Sequence, residues 1–192
     1  MPTPNPAAME FLLSRRSRPA KTLTGPAPDR AALMPILTAA ARSPDHGKLE
    51  PWRFVVLEGL ALERLAAAAL ARGEALGLDP DVAAKGQKQF ADSHLCVAVI
   101  ESPKESPKIP AIEQTYSAGA VCLGLLNAAL ASGWGANWLT GWIAEDRPFV
   151  EDELGLAPHE RIAGFLHLGT ETSAPPDRPR PDLDAITEWV SQ

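Results

Sequence analysis

Apolar positions recur along this chain with two different periods, and each change of period marks an element. Met9, Leu12 and Leu13 fall at helical spacing and predict a short helix from Pro6 to Arg16. Leu33, Ile36, Leu37, Ala40 and Ala41 share one face of a second helix, which stops at Ser43-Pro44; Pro35 inside the pattern blurs its start. Trp52 to Leu57 (WRFVVL) is a β-branched and aromatic run closed by Glu58-Gly59, hence a strand. Leu60 to Arg72 is alanine-rich helix, and Asp79-Pro80 reads as N-cap and first residue of a helix reaching Ala91.

Leu95 to Ile100 (LCVAVI) is apolar at every position, as a strand covered on both faces must be. Ala111 to Ser132 predicts a central buried helix, with Ala118, Gly119, Ala120 and Gly124 small enough for close packing and Gly133 as its cap. Arg161 to Leu168 is a last apolar strand. Pro175, Pro176, Pro179 and Pro181 then rule out ladder or helix for the stretch from Ala174 to Pro181, which is expected to lie extended along another surface. Helices alternating with short apolar strands predict a layered domain, one mixed sheet with helices on both sides. With no internal repeat or linker, residues 1–192 are expected to form a single domain.

Composition narrows the picture. A chain of 192 residues, 45% hydrophobic, can bury a full core. A net charge of −6 argues against nucleic acid or an anionic membrane as the main partner. Cys96 and Cys122 sit in apolar runs without Cys-x-x-Cys spacing, as buried reduced thiols would. The N-terminal MPTPNPAAMEF lacks the pattern of a secretory signal, and the apolar run Ala118 to Ala131 is interrupted by Asn127 and shorter than the ~20 residues that span a bilayer. A cytoplasmic protein is expected.

Familiar chemistry is missing. His46, His94, His159 and His167 are scattered, so no protein-built metal site is expected. Gly-x-Ser-x-Gly, the Walker loop and a Gly-x-Gly-x-x-Gly after a strand are all absent, which disfavours hydrolase, kinase and Rossmann dehydrogenase. Without a nucleophile–base pair, no side chain is assigned a catalytic role. What remains is a chain that would leave its chemistry to a phosphorylated cofactor and supply binding and orientation.

Three stretches carry that reading, each beside a plainer one. Leu13 to Pro19 (LSRRSRP) places three guanidinium groups and two hydroxyls where a helix becomes loop: an anion site, or a solvated helix end. Arg42-Ser43-Pro44-Asp45-His46 places a cation, a hydroxyl, a carboxylate and an imidazole past the second helix: ligand groups, or a capped terminus. Trp134, Trp138 and Trp142 alternate with Gly133, Gly135 and Gly141, predicting a glycine-punctuated loop whose indoles wall a planar ligand or pack beneath it.

Taken together, RRS at Arg15 to Ser17, RSPDH and PW at Arg42 to His46 and Pro51-Trp52, EQ-x-x-SAG at Glu113 to Gly119, and GFLHLGT at Gly164 to Thr170 resemble the nitroreductase family, specifically its small YdjA-like branch. The resemblance runs in order from Glu10 to about Thr170. It implies an α+β fold of three-layer α/β/α type with a mixed central sheet, and homodimers with FMN sites built across the interface. The C-terminal tail, from about residue 171, would embrace the partner.

Carried onto this chain, the resemblance implies that Arg15, Arg16 and Ser17 hold the flavin phosphate and ribityl chain. Arg42 and His46 would meet the same flavin from the other subunit, and Trp138, Leu139 and Thr140 match a flavin-contacting triplet. Ala128, Ala129, Leu130, Ala131, Ser132 and Gly133 match a segment assigned to NAD(P). Close relatives carry arginine where this chain has Leu139, and Arg178 or Arg180 would replace that charge only if the tail folds back. The implied activity is electron transfer from NAD(P)H through FMN to a small electron-poor acceptor, a nitroaromatic or quinone, by a ping-pong mechanism. Two alternatives stay open: another flavin reaction of the same fold, such as a metabolite dehydrogenase or dehalogenase, and a non-catalytic flavin-binding module.

Overall fold

The computed structural model describes residues 3–191. The first helix, α1 (Pro6–Ser14), is capped by the Asn5 side chain and ends two residues sooner than its apolar spacing predicts. The reason lies downstream: Arg18 donates its backbone N–H to Ala136 O (2.8 Å), and Asn137 Nδ2 donates to Arg18 O (2.7 Å). These bonds draw the arginine loop out along a strand, so Arg15 takes an extended ψ of 146° instead of continuing the helix.

After the short strand β1 (Leu23–Thr24) comes α2 (Arg30–Ala40), capped by Asp29 and running through Pro35, whose position is exposed. β2 (Trp52–Leu57) leads to α3 (Leu60–Ala75) and α4 (Pro80–Ala91), an antiparallel helical pair that returns the chain to β3 (Leu95–Glu101). The long α5 (Ala111–Ala131) precedes β4 (Gly135–Leu139) and α6 (Arg147–Leu154). β5 (Arg161–Glu171) is the longest strand, and a single turn, α7 (Leu183–Ile186), interrupts the tail.

β5 pairs with β3, β4 and β1, and β3 pairs in turn with β2. Each of these pairings is antiparallel, which corrects the expected mixed sheet. A single-helix crossover would make neighbouring strands parallel; here two helices, α3 and α4, join β2 to β3, and the extra traversal reverses the direction. β3 lies between β2 and β5 with every residue buried. Its side chains alternate between two cores: Cys96, Ala98 and Ile100 pack with Leu65, Phe90 and Phe149 on the α3, α4 and α6 side, while Leu95, Val97 and Val99 pack with Ile36, Val121 and Leu125 on the α2 and α5 side. The three-layer α+β architecture follows.

Two expectations need correction. The stretch read as a glycine-punctuated loop is strand β4. Gly135 is there because a Cβ would meet Leu23 and the carbonyl of Gly169, so the residue answers close packing and not a turn. And α5 is buried on one face only: Ser117, Ala118, Val121, Cys122 and Leu125 point inward, but Ile112, Tyr116 and Leu123 are exposed in the single chain. Among the described residues no helix is long and apolar enough to cross a membrane.

Candidate functional site

The arginine loop forms one wall of a polar concavity. Arg15, Arg16, Ser17, Asn137, Arg178 and Arg180 line a cavity of about 560 Å³. The tail closes it: Arg180 Nη2 donates to Leu13 O at 3.1 Å, and Arg180 Nη1 reaches Asp177 Oδ1 at 3.2 Å. Arg18 lies alongside, its Nε 3.1 Å from Glu171 Oε2. The two arginines lost from helix α1 thus meet two more from the tail, in a cavity that Leu139 does not line.

Arg15 Nε and Arg16 Nη1 are buried and have no hydrogen-bond partner among the described residues. Burial first, then the charges of Arg180 and Arg18, press the Arg15 pKa below its ordinary value. Buried donors are normally satisfied, and clustered cations repel unless an anion sits among them. A phosphomonoester supplies both remedies, because its oxygens accept paired bonds from guanidinium groups. The residues present therefore fit the phosphate end of FMN, and the solvated-helix-end reading of LSRRSRP does not describe half-buried side chains.

The segment expected to meet NAD(P) adjoins this cluster. Leu130 and Gly133, with Trp134, line a hollow of about 290 Å³ together with Arg15, Arg16 and Arg18. Ser132 caps the end of α5, its hydroxyl donating to Ala128 O at 2.8 Å.

Trp138 and Leu139 part company because strand side chains alternate. Trp138 pairs with Leu166 and turns toward α5, its indole crossing Gly164 and donating to Ala163 O at 3.2 Å. Trp142 packs between Gly73 and Gly86 of the α3–α4 pair and donates to Val82 O at 3.3 Å. Of the two readings for these indoles, packing is the one the structure displays. Leu139 faces the other side and lines a cavity of about 340 Å³ with Lys21, Lys85, Lys88, Gln89, His94 and His167. Thr140 follows on the surface, next to Gly141, whose φ of 76° turns the chain.

Sequence reasoning missed that cavity. His167 is 2% exposed; its Nδ1 lies 2.9 Å from Ser93 Oγ, whose hydroxyl donates to Leu95 O, so Nδ1 carries the ring proton. Burial pushes its pKa down to about 4 and keeps it neutral. His167 Nε2 and Gln89 Nε2 have no partner among the described residues. A histidine inside an apolar strand, GFLHLGT, was the available signal. The lysines of α4, Lys85 and Lys88, carry no such signal in the sequence.

Arg42 and His46 stand elsewhere. His46 lines a separate groove of about 340 Å³ with Asp45, Glu113, Tyr116 and Ala120, at the outer face of α5. Arg42 is exposed just past α2. Within one chain, the described residues of these two stretches are not brought to the arginine cavity.

The structure is thus an antiparallel three-layer α+β fold with an arginine-lined cavity beside strand β4. The chain belongs to the nitroreductase family, whose sequence profile matches residues 12–170. It is 37% identical over 163 residues to YdjA of Escherichia coli K12, provisionally named an NAD(P)H nitroreductase, covering 85% of this chain and 87% of that one. A nitroreductase-like family protein from Bacillus cereus superimposes with a TM-score of 0.78 at 24% identity, covering 100% of both chains. A mutant of NfnB from a Sphingopyxis strain, described as FMN- and NADPH-dependent, gives 0.74 at 22% identity, covering 95% of this chain and 98% of the other. The family is one of oxidoreductases, and this chain is an enzyme of that kind.

Proposed function

We propose that this chain binds FMN and passes electrons from NAD(P)H to small electron-poor acceptors, nitroaromatics or quinones, as a cytoplasmic homodimer. The observation that carries the reading is the pair of buried donors, Arg15 Nε and Arg16 Nη1, without a partner among the described residues, in a cavity shared with Arg178 and Arg180. Arg15, Arg16 and Ser17 would hold the phosphate and ribityl chain, with the two tail arginines neutralising the phosphate. Leu139 and the backbone of Trp138 to Thr140 would meet the ring, and Ala128 to Gly133 the nicotinamide nucleotide. When bound, FMN supplies the chemistry: it accepts hydride from the nicotinamide and returns electrons to the acceptor. The chain's own work is orientation, with Leu139 and its neighbours shaping the cavity that excludes water.

A dimer is supported by what the single chain leaves uncovered. Met9, Leu12 and Leu13 of α1, Tyr116 and Leu123 of α5, and Leu183, Ile186 and Trp189 of the tail are apolar and exposed. Pairing two copies would bury them, lay the tail along the partner and bring Arg42 and His46 of one chain to the arginine cavity of the other. Residues 1–192 would then act as one domain with a swapped arm.

The test is direct. Purified protein should be yellow, with about one non-covalent FMN per chain, and NADPH added without oxygen should bleach it. A colourless protein that takes up no added FMN overturns the reading; FMN uptake without bleaching leaves a binding module. Because nicotinamide and acceptor would share one cleft, initial rates against NADPH and a quinone should give parallel double-reciprocal lines, and intersecting lines would defeat the shared site.

A further inference from the structure

The backbone between α2 and β2 is contorted in a way that needs explaining. Gly47, Lys48 and Glu50 have φ of 75°, 54° and 49°, and lysine and glutamate rarely adopt that region. A Cβ at Gly47 would also run into the Ile109 side chain. Such a conformation persists only where its surroundings over-determine it, and such places cluster at functional sites.

The surroundings here come from α5. Ser117, which is buried, donates to Pro44 O at 2.7 Å and accepts from Trp52 Nε1 at 3.1 Å, tying both ends of the segment to the helix. Within the segment, Asp45 Oδ2 accepts the Glu50 N–H at 2.7 Å. One turn before Ser117, Glu113 Oε2 lies 2.7 Å from His46 Nδ1.

The last contact differs from the others. Both side chains are exposed, 62% for His46 and 43% for Glu113, and exposed ion pairs contribute little to stability. Ser117 already fixes the backbone. What Glu113 adds is control of the ring: an ionised carboxylate only accepts, so the neutral imidazole must carry its proton on Nδ1 and leave Nε2 free as an acceptor.

We infer that Glu113 is a positioning residue that orients His46, directing its Nε2 outward from the strained segment for contact with FMN. The inference rests on the proposed function, in which His46 meets the flavin. It gives the contorted backbone a purpose: a preformed arm pinned to α5 at three points, with one imidazole in one tautomer at its tip.

A double-mutant cycle tests it, with FMN affinity read by fluorescence titration of wild type, His46→Ala, Glu113→Ala, the double variant and Glu113→Gln. Each alanine variant should weaken FMN by about 3–10-fold, the size of one hydrogen bond. The double variant should be no weaker than His46→Ala, because Glu113 acts only through the ring. Glu113→Gln, whose amide oxygen still accepts, should recover affinity to within about twofold. Nitrogen chemical shifts of His46 should report the Nδ1–H tautomer in wild type and a mixture in Glu113→Ala. Additive losses, unchanged affinity in either alanine variant, or an unchanged tautomer in Glu113→Ala would overturn the inference. A wild type that takes up no FMN defeats the functional reading separately, and the tautomer measurement then still decides whether Glu113 orients the ring.

Discussion

Arg180, in the tail, donates from Nη2 to the carbonyl of Leu13, in the last turn of α1, at 3.1 Å. The bond spans most of the sequence and closes the arginine cavity with a fourth guanidinium. It makes the tail part of the cavity wall.

Arg15→Ala should therefore weaken FMN by about 10–150-fold, since charge-assisted bonds contribute roughly 1.5–3 kcal/mol and each ~1.4 kcal/mol is a decade. Arg180→Ala should act in the same direction but less, because its side chain is half exposed and screened. Titrations at low and high salt check both: affinity should fall with salt in wild type and fall less in each variant. Equal affinity in all three proteins would return LSRRSRP to a helix end.

How much of this was legible before the structure depended on whether a residue answers to local or distant neighbours. Asp79-Pro80 and the all-apolar LCVAVI announce α4 and β3, because capping and two-sided burial are written into adjacent positions. Strand β4 was hidden, since Gly135 and Gly164 are glycines on account of Leu23 and Trp138, far away in sequence. The signals for α6 were present, Asp146 as cap, Pro148 in the first turn and Gly155 at φ 65°, in a stretch to which no helix was assigned. For the site, motif order singled out Arg15 to Ser17, but the closing arginines and the cavity under Leu139 needed the tail and α4 to be placed in space.

The crossing of Trp138 over Gly164 predicts a packing cost. Gly164→Ala puts a methyl group into the indole, and overpacking of this kind costs about 1–3 kcal/mol. For a chain of this size the melting midpoint should fall by about 3–10 °C. A calorimetric midpoint unchanged within one degree would mean that the indole moves aside freely.

The uncovered face of α5 predicts the assembly. Tyr116 is 68% exposed and Leu123 44%. Replacing both with aspartate should leave the chain folded, because neither side chain reaches the core, yet light scattering should shift from dimer to monomer mass. FMN affinity should fall in step, since Arg42 and His46 then lack a partner's cavity. A dimer mass in the double variant would move the interface elsewhere.

Two buried groups predict how stability depends on pH, in separate windows. His167 has its pKa pushed by burial from 6.5 to about 4. The unfolded chain takes up that proton first, so the contribution is complete above about pH 6.5 and is lost as pH falls toward 4. At ~1.4 kcal/mol per unit, the loss is up to about 3 kcal/mol. Glu160 is depressed from 4.5 to about 2, chiefly by the paired hydrogen bonds from Arg53, at 2.8 and 2.7 Å. Its contribution is intact above about pH 4.5 and disappears only below that. Urea unfolding at fixed protein concentration should thus show stability falling between pH 6.5 and 5 in wild type. The slope should flatten in His167→Gln, which cannot titrate, and persist in Arg53→Ala, which should instead raise the pH of acid unfolding. A wild type equally stable at pH 7 and pH 5 would show that His167 protonates freely in the fold, through an opening of the Leu139 cavity to water.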